Sequence, residues 1–433
     1  VSPTFTSLEV RNYRLWFLGG FVSNVGTWVG RVGQDWLVLT VLTAGSATAL
    51  GVVTGLQFLP FLLLAPWSGL IADRFSRRRI LLVTQSLLAL TSLVLGVLAV
   101  TGTAQLWHVY AIALFQGVTT AIDNPARQVF VSEMVPPDKL TNAVALNSAS
   151  FNAGRLIGPG LAGLVIAWWG TGQALLLNTL TFVFVLGALA MLTTSELRSP
   201  SRAKGRGGIR EGFAYVRHRR DIQLVMLLVF VLGTFGMNFQ ITMALMATKV
   251  FDKGASEFGL LGSIMAVGSL TAALLSARRK EPRLRVLLLA LVGFTVSAVL
   301  AAAAPSYWLF ALALVPVGLT ALTALTTANA MVQTRVAPEM RGRVMALYMA
   351  IFMGGTPAGA PMIGWISEQF GPRWTIGVGA LAVGTTLVAV SIWLARAENV
   401  RVSYESQRRP RVSVTTVPAG RDDAHVPVPE PAR

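Results

Sequence analysis

Long apolar runs broken by short polar segments dominate the chain. Charge-free windows cover residues 36–72, 80–122, 156–195, 222–248, 258–277, 286–334, 344–367 and 374–395. A bilayer-spanning helix needs about 20 mostly apolar residues, so the longer windows hold two helices each. They divide at turn signals such as Thr43-Ala44-Gly45-Ser46, Thr101-Gly102-Thr103, Gly170-Thr171-Gly172 and Ala304-Pro305-Ser306. The pattern predicts twelve helices, near 15–42, 48–72, 80–101, 106–122, 140–168, 173–194, 222–248, 258–277, 286–304, 307–331, 344–367 and 374–395. The first is too long for the apolar core of a signal peptide and is followed by no A-x-A site. Residues 196–221 form a basic linker between two sets of six helices, 1–195 and 222–396. Its stretch Gly208 to Asp221 suits an amphipathic helix on anionic lipid headgroups. The polar, Pro-rich tail 397–433 predicts disorder.

Composition fits that reading. Only 13% of the 433 residues are charged, about half of the ~25% usual in soluble domains, and mean hydropathy is +0.62. Such a chain cannot wet its surface, and an all-α polytopic membrane protein is the expected class. The absence of Cys excludes disulfides and Cys-ligated metals. Three His without an HExxH pair and no GxxxxGK[ST] leave no zinc-protease or P-loop signature. An enzyme is not expected, nor a cofactor. The formal charge of +17 is explained by topology: with the N-terminus inside, 31 of the 36 Lys and Arg fall in cytoplasmic segments. Both termini are then cytoplasmic, and no nucleic-acid partner is implied.

Candidate chemistry lies inside the spans. Asn24, Trp28, Arg31 and Asp35 follow at intervals of four, three and four and share one face of helix 1. Charges within a span face the bundle interior and mark pathways. Asp35 is the one carboxylate placed well inside a helix, while Asp123, Glu257 and Glu368 fall near predicted ends. Asp35, with Arg31 and the intramembrane Arg155, is the candidate proton-coupling set, burial and the arginines acting on its proton affinity in opposite senses. A purely structural Arg31–Asp35 pair is the plainer alternative. Arg155 either attracts an anionic substrate or pairs with Asp35. Further cavity candidates are Asn238 in helix 7, Thr327 in helix 10 and Tyr348 in helix 11. The halves also repeat at an offset of 201 residues: Gly154, Gly158 and Gly163 recur as Gly355, Gly359 and Gly364, and the loop Val-x-Pro-[Asp/Glu] recurs with them. A parallel repeat of six helices predicts two pseudo-equivalent bundles around a central cavity, suited to alternating access.

Several segments resemble the major facilitator superfamily. Gly69-Leu-Ile-Ala-Asp73-Arg74-Phe-Ser-Arg77-Arg78-Arg79 is similar to its motif A, which implies a cytoplasmic gate that locks in the outward-open state. Gly154-Arg155-Leu-Ile-Gly158-Pro159-Gly-Leu-Ala-Gly163 looks like the antiporter motif C, a smooth face with a proline bend. Motif B departs from the pattern, with Ala113 where its Arg would stand. Asp123-Asn-Pro125-Ala-Arg127, Gly26-Thr-Trp28 and Gln34-Asp35-Trp36 resemble the drug and siderophore exporter branch, the enterobactin-exporter-like group. The resemblance covers residues 11 to about 396. It implies the twelve-helix major facilitator fold, with Gly69, Asp73, Arg74, Arg77, Asp123, Gly154, Gly158 and Pro159 in gating. It also implies a monomeric multi-pass cell-membrane exporter of small amphipathic compounds, working by proton antiport. A metabolite importer or facilitator is the alternative within the fold. A non-transporting sensor or lipid-handling protein is the alternative outside it.

Overall fold

Polar punctuation sets the ends of the helices. The computed structural model describes residues 3–198, 209–277, 279, 281–397, 400–405 and 411–416. Ser46 Oγ accepts the Ala49 N–H at 3.1 Å and opens α2 (Ala47–Arg74). Pro137 takes the first turn of α5 (Pro137–Trp169), and Gly170, at φ 100°, ends it. The other helices of the first half are α1 (Arg11–Trp36), continued by a π-helical Leu37–Leu42, α3 (Arg77–Val100), α4 (Leu106–Met134) and α6 (Thr171–Ala190). A short linker helix, α7 (Ile209–Val216), follows.

The seventh predicted span is not one regular helix. It runs as α8 (Arg220–Val231), a π segment Leu232–Gly236, a break at Met237 and Asn238, α9 (Phe239–Leu245) and a second π segment Met246–Val250. Gly233 and Gly236 lie in the first π segment, just before the break, and Gly233, Met237 and Asn238 line a cavity, where irregular backbone within a membrane is tolerated. α10 (Ala255–Ala277), α11 (Leu284–Ala303) and α12 (Tyr307–Arg335) are continuous. The eleventh rod is α13 (Pro338–Gly354) joined at Gly355 to α14 (Thr356–Phe370), and the twelfth is α15 (Trp374–Ala397). The described helices thus give the twelve rods expected from the apolar windows. Among the described residues nine stretches are long and apolar enough to cross a membrane. The other three rods are α1, α4 and α5, diluted by Arg31 and Asp35, by Asp123 and Arg127, and by Arg155. These helices carry the candidate site.

Two expectations change. The charge-free window of helix 4 ends at 122, but α4 carries Asp123, Pro125 and Arg127 inside it and continues to Met134. Asp123 is therefore mid-helix, not near an end. In the tail, Val400–Glu405 and Arg411–Thr416 pair antiparallel, Val400 opposite Thr416 and Glu405 opposite Arg411, where the composition predicts disorder. Alternating Val, Tyr and Thr supply the strand pattern, although two strands alone are marginal in water.

The halves interlock through equivalent positions. On α5, Gly154 and Gly158 lie against Asn24 and Trp28 of α1, and Gly163 against Ala255 and Ser256 of α10. On the eleventh rod, Gly355 and Gly359 lie against Thr234 and Gly364 against Ala47. Each fifth helix of a half therefore packs on the first helix of its own half and on the second helix of the other. A side chain cannot be inserted: a Cβ at Gly163 would stand 2.6 Å from Ala255 O. Outside, the surface is apolar, with Leu289, Val183 and Leu274 exposed. Exposed Trp107, Trp168, Trp169, Trp308 and Trp374 ring the end away from the arginine-rich loops, as at a membrane interface. That end is called the tryptophan end below, and the other the basic end.

Candidate functional site

α1 passes between two cavities. The first has a volume of about 270 Å³ and lies between the halves, lined by Trp28, Arg31 and Asp35 of α1, Arg155 of α5, and Asn238 and Phe352 of the second half. Methionines Met237, Met243, Met265 and Met353 supply much of its apolar wall. Unbranched, polarizable side chains of this kind adapt to varied ligands. The second cavity, about 810 Å³, extends into the first half among α1, α3, α4 and α6, and its wall includes Gln34, Gln85, Gln116, Asp123 and Asn178. Arg31, Gln57, Phe58 and Met353 border both.

Two guanidinium groups meet around one indole. Arg31 Cζ lies 5.7 Å and Arg155 Cζ 5.9 Å from the Trp28 ring centroid, and Arg31 also stands 5.7 Å from Phe58. Attraction to ring faces grows when a cation is desolvated. Asp35 is 4% exposed and one turn further along α1. Among the described residues, Arg31, Arg155 and Asp35 make no hydrogen bond and no contact ion pair. Of the two alternatives for Arg155, a contact pair with Asp35 is not formed. Arg155 leaves α5 at the depth of Trp28, so the charge it faces is Arg31. With Asp35 ionised this cluster carries a net +1, and with Asp35 protonated +2.

Asp123 is held by a different set of groups. Thr84 Oγ1 and Gln85 Nε2 donate to its Oδ1 at 2.6 and 2.8 Å, and Arg127 Nε donates to Oδ2 at 2.9 Å. Arg127 in turn lies 5.4 Å from the Trp16 ring. Asp123 is 3% exposed. Two amide atoms of the same cavity are buried without a protein partner, Gln34 Nε2 and Gln85 Oε1. Leaving such a group unpaired costs about 1–3 kcal/mol.

The cavity between the halves is sealed toward the tryptophan end. α5 meets α10 there, where Ser263 Oγ donates to Leu156 O (2.6 Å) and accepts from Gly160 N–H (3.1 Å), bridging the turn bent by Pro159. Across the other seam Glu368 of α14 caps the start of α2. Ser46 Oγ (2.7 Å) and Thr48 N–H (3.0 Å) donate to its Oε1, and Thr48 Oγ1 to its Oε2 at 2.7 Å. A carboxylate at a helix N-terminus is favourably placed.

The other sequence candidates are dispersed. Asn24 lines the second cavity and donates to Ser150 Oγ at 3.0 Å. Asn238 lines the first and donates to Thr234 O at 2.8 Å. Thr327 and Tyr348 line neither: Thr327 accepts from Arg279 at 3.5 Å, and the Tyr348 hydroxyl points to Leu325 O on α12. Gly69 and Asp73 belong to α2 near the basic end, but their side-chain surroundings fall outside the described residues. Arg74 is exposed, and Arg77 pairs with Glu133 of α4 at 3.0 Å. The residues that sequence reasoning missed are mostly amides: Gln57, Gln85 and Asn178. Their signal was present, since each is a lone amide in an apolar run.

Comparison with known proteins agrees with this architecture. The staphyloferrin A transporter of Staphylococcus aureus is 26% identical over 87% of this chain and 94% of its own length. Macrolide efflux protein A of Streptococcus pyogenes is 24% identical over 80% and 87%. Among solved structures, the nucleoside transporter NupG superposes with a TM-score of 0.68, at 14% identity, covering 89% of this chain and 99% of that one. The family model described as a transmembrane secretion effector matches residues 2–417. The chain therefore belongs to the transmembrane secretion effector family of the major facilitator superfamily and is a multi-pass membrane transporter, not an enzyme.

Proposed function

We propose that this transporter exports small amphipathic compounds, whether drugs, siderophores or other natural products, by proton antiport and alternating access, as a monomer with its basic end in the cytoplasm. The observation that carries the proposal is Asp35, a carboxylate without a bonded partner on the wall of a cavity sealed toward the tryptophan end. Burial inside a span is costly for such a charge unless it has a task. A compound rising from the basic end meets methionine and phenylalanine walls that accept varied apolar bodies. At the apex it meets a carboxylate acceptor and two arginines. A donor or cationic group that bonds Asp35 takes the place of its proton, which then leaves to the cytoplasm. When the protein opens outward, a proton from outside displaces the compound in turn. The arginines hold an acidic group of the same molecule, so one substrate spans both charges. Names of the relatives, a macrolide efflux protein and a staphyloferrin A transporter, support this range of cargo.

Everted vesicles with an acidic lumen test the proposal against a panel of drugs and siderophores. The native protein accumulates at least one compound uphill, and accumulation collapses with the proton gradient. Asp35→Asn retains binding of that compound and loses uphill accumulation. Accumulation that persists in Asp35→Asn with its proton dependence intact would contradict the role of Asp35.

A further inference from the structure

Gln34 and Asp35 are neighbours in sequence, yet they line different cavities. Asp35 faces the cavity between the halves. Gln34, 3% exposed, turns into the cavity inside the first half, where its Nε2 finds no protein acceptor. Toward the basic end the same cavity reaches Gln85, 1% exposed, whose Oε1 finds no donor. The amide orientation of Gln85 is fixed, because its Nε2 is engaged by Asp123. A buried unpaired donor and a buried unpaired acceptor thus border one polar space of about 810 Å³. A polar space of that size, with several groups to bond, is one that water enters. Ser92, Asn178 and Gln116 continue the polar wall between them.

The space covers a useful depth. Arg127 sits over the Trp16 ring and fixes the register of α4 against α1. Asp35 is 19 residues past Trp16 on α1 and Asp123 four residues from Arg127 on α4; at 1.5 Å per residue the two carboxylates differ in depth by roughly 20 Å.

We infer that the first six-helix bundle contains a water-filled passage, gated by Gln34 and Gln85, that carries protons between the level of Asp35 and Asp123 near the basic end, apart from the route of the substrate. Arg31, bordering both cavities, is the partition. Its fixed charge raises the energy of a proton at the junction and guards it against leak between the two cavities. A proton released from the Asp35 carboxyl passes to water at the top of the passage, and each water hands on a proton in turn. The last reaches bulk water beyond Asp123, whose oxygens are held by Thr84, Gln85 and Arg127. No other reactant is needed. Two routes solve a difficulty of exchange in one cavity, since a bulky substrate filling the space between the halves would otherwise block the exit of the proton it displaces. The proton cargo rests on the antiport reading above; the passage does not.

The chain has no Cys of its own, so single cysteines test the passage directly. Leu88 borders it one turn beyond Gln85, whereas Leu314 is fully buried in the second half away from both cavities. Methanethiosulfonate ethylammonium added at the basic side should modify Leu88→Cys readily and Leu314→Cys at least a hundredfold more slowly. Adding Gln85→Leu should slow the first reaction severalfold. An unreactive Leu88→Cys in a protein that still elutes as a folded monomer or oligomer would overturn the passage, whatever the mode of transport. For the cargo, Gln34→Leu combined with Gln85→Leu should lower the turnover of proton-driven transport at least tenfold with KM unchanged, and Gln85→Asn should restore part of it. Unchanged turnover in the double variant, with labelling as expected, would leave a hydrated passage that carries no protons and overturn that part. Absence of proton coupling in the native protein would overturn the antiport reading, while the labelling result would stand by itself.

Discussion

In the proposed antiport, the charge of the Asp35, Arg31 and Arg155 arrangement sets which substrate competes with a proton. Both guanidinium groups face Trp28, and Asp35 stands a turn away, unbonded. Protonating Asp35 raises the cluster from +1 to +2, so a purely anionic compound binds more tightly as pH falls, and proton and anion bind together. A compound that donates to Asp35 behaves oppositely and weakens as pH falls. Arg155→Ala should therefore lower affinity for acidic compounds about 10-fold or more, the scale of one lost charge-assisted hydrogen bond, and leave neutral compounds within about twofold. Binding titrations at several pH values on matched acidic and neutral compounds check both signs. Much of this site was legible in the sequence, because a charge inside an apolar window needs a reason. The spacing of Asn24, Trp28, Arg31 and Asp35 placed them on one face; the last three line one cavity, while Asn24 lines the other. That Arg155 would meet Arg31 and not Asp35 was not legible, since the relative depth of α1 and α5 is set by glycine contacts such as Gly158 on Trp28. The split of Gln34 and Asp35 between two cavities likewise depends on which helices flank α1.

At the scale of elements, the seams between the halves are unequal. α5 against α10 is mainly a packing seam, in which Ser263 bridges the bend at Pro159 and Ser256 Oγ donates to Gly163 O at 3.5 Å. α2 against α14 adds a cap, in which Glu368 takes hydrogen bonds from the first turn of α2 and the residue before it. Glu368 is exposed, so its bonds compete with water and are worth less than buried ones. Glu368→Gln should still weaken closure of the tryptophan end. A cysteine at Thr54, on the wall of the cavity between the halves, should then become several-fold more reactive to a membrane-impermeant thiol reagent added from that end. Unchanged reactivity would mean that the glycine contacts alone hold the seam. The twelve rods were readable from hydropathy because a bilayer enforces length. The interruption at Met237 and Asn238 was not, because glycines in an apolar run serve close packing as often as irregular backbone. The end of the charge-free window at 122 misleads in the other direction: α4 runs on through Asp123 and Pro125, because the carboxylate is satisfied inside the bundle and the helix tolerates the proline.

For the whole molecule, pseudo-symmetry bears on the proposed alternating access. Each fifth helix of a half is paired with the second helix of the other, and both pairs close the tryptophan end in this structure. In that proposal, rocking the halves about the level of Trp28 and Arg155 would exchange these seams for others at the basic end, where the motif around Asp73 to Arg77 lies. The halves would then trade access without unfolding either bundle, as repeats related by an axis along the membrane normal permit. In the proposed mechanism a substrate and a proton exchange at Asp35. The most direct measurement is the proton balance when an exported compound that carries a donor or cationic group and no acidic group is added to purified protein in weakly buffered solution. The native protein should release protons, on the order of one per compound bound at a pH where Asp35 is protonated, and Asp35→Asn none. Proton uptake by the native protein, or the same release from Asp35→Asn, would contradict it.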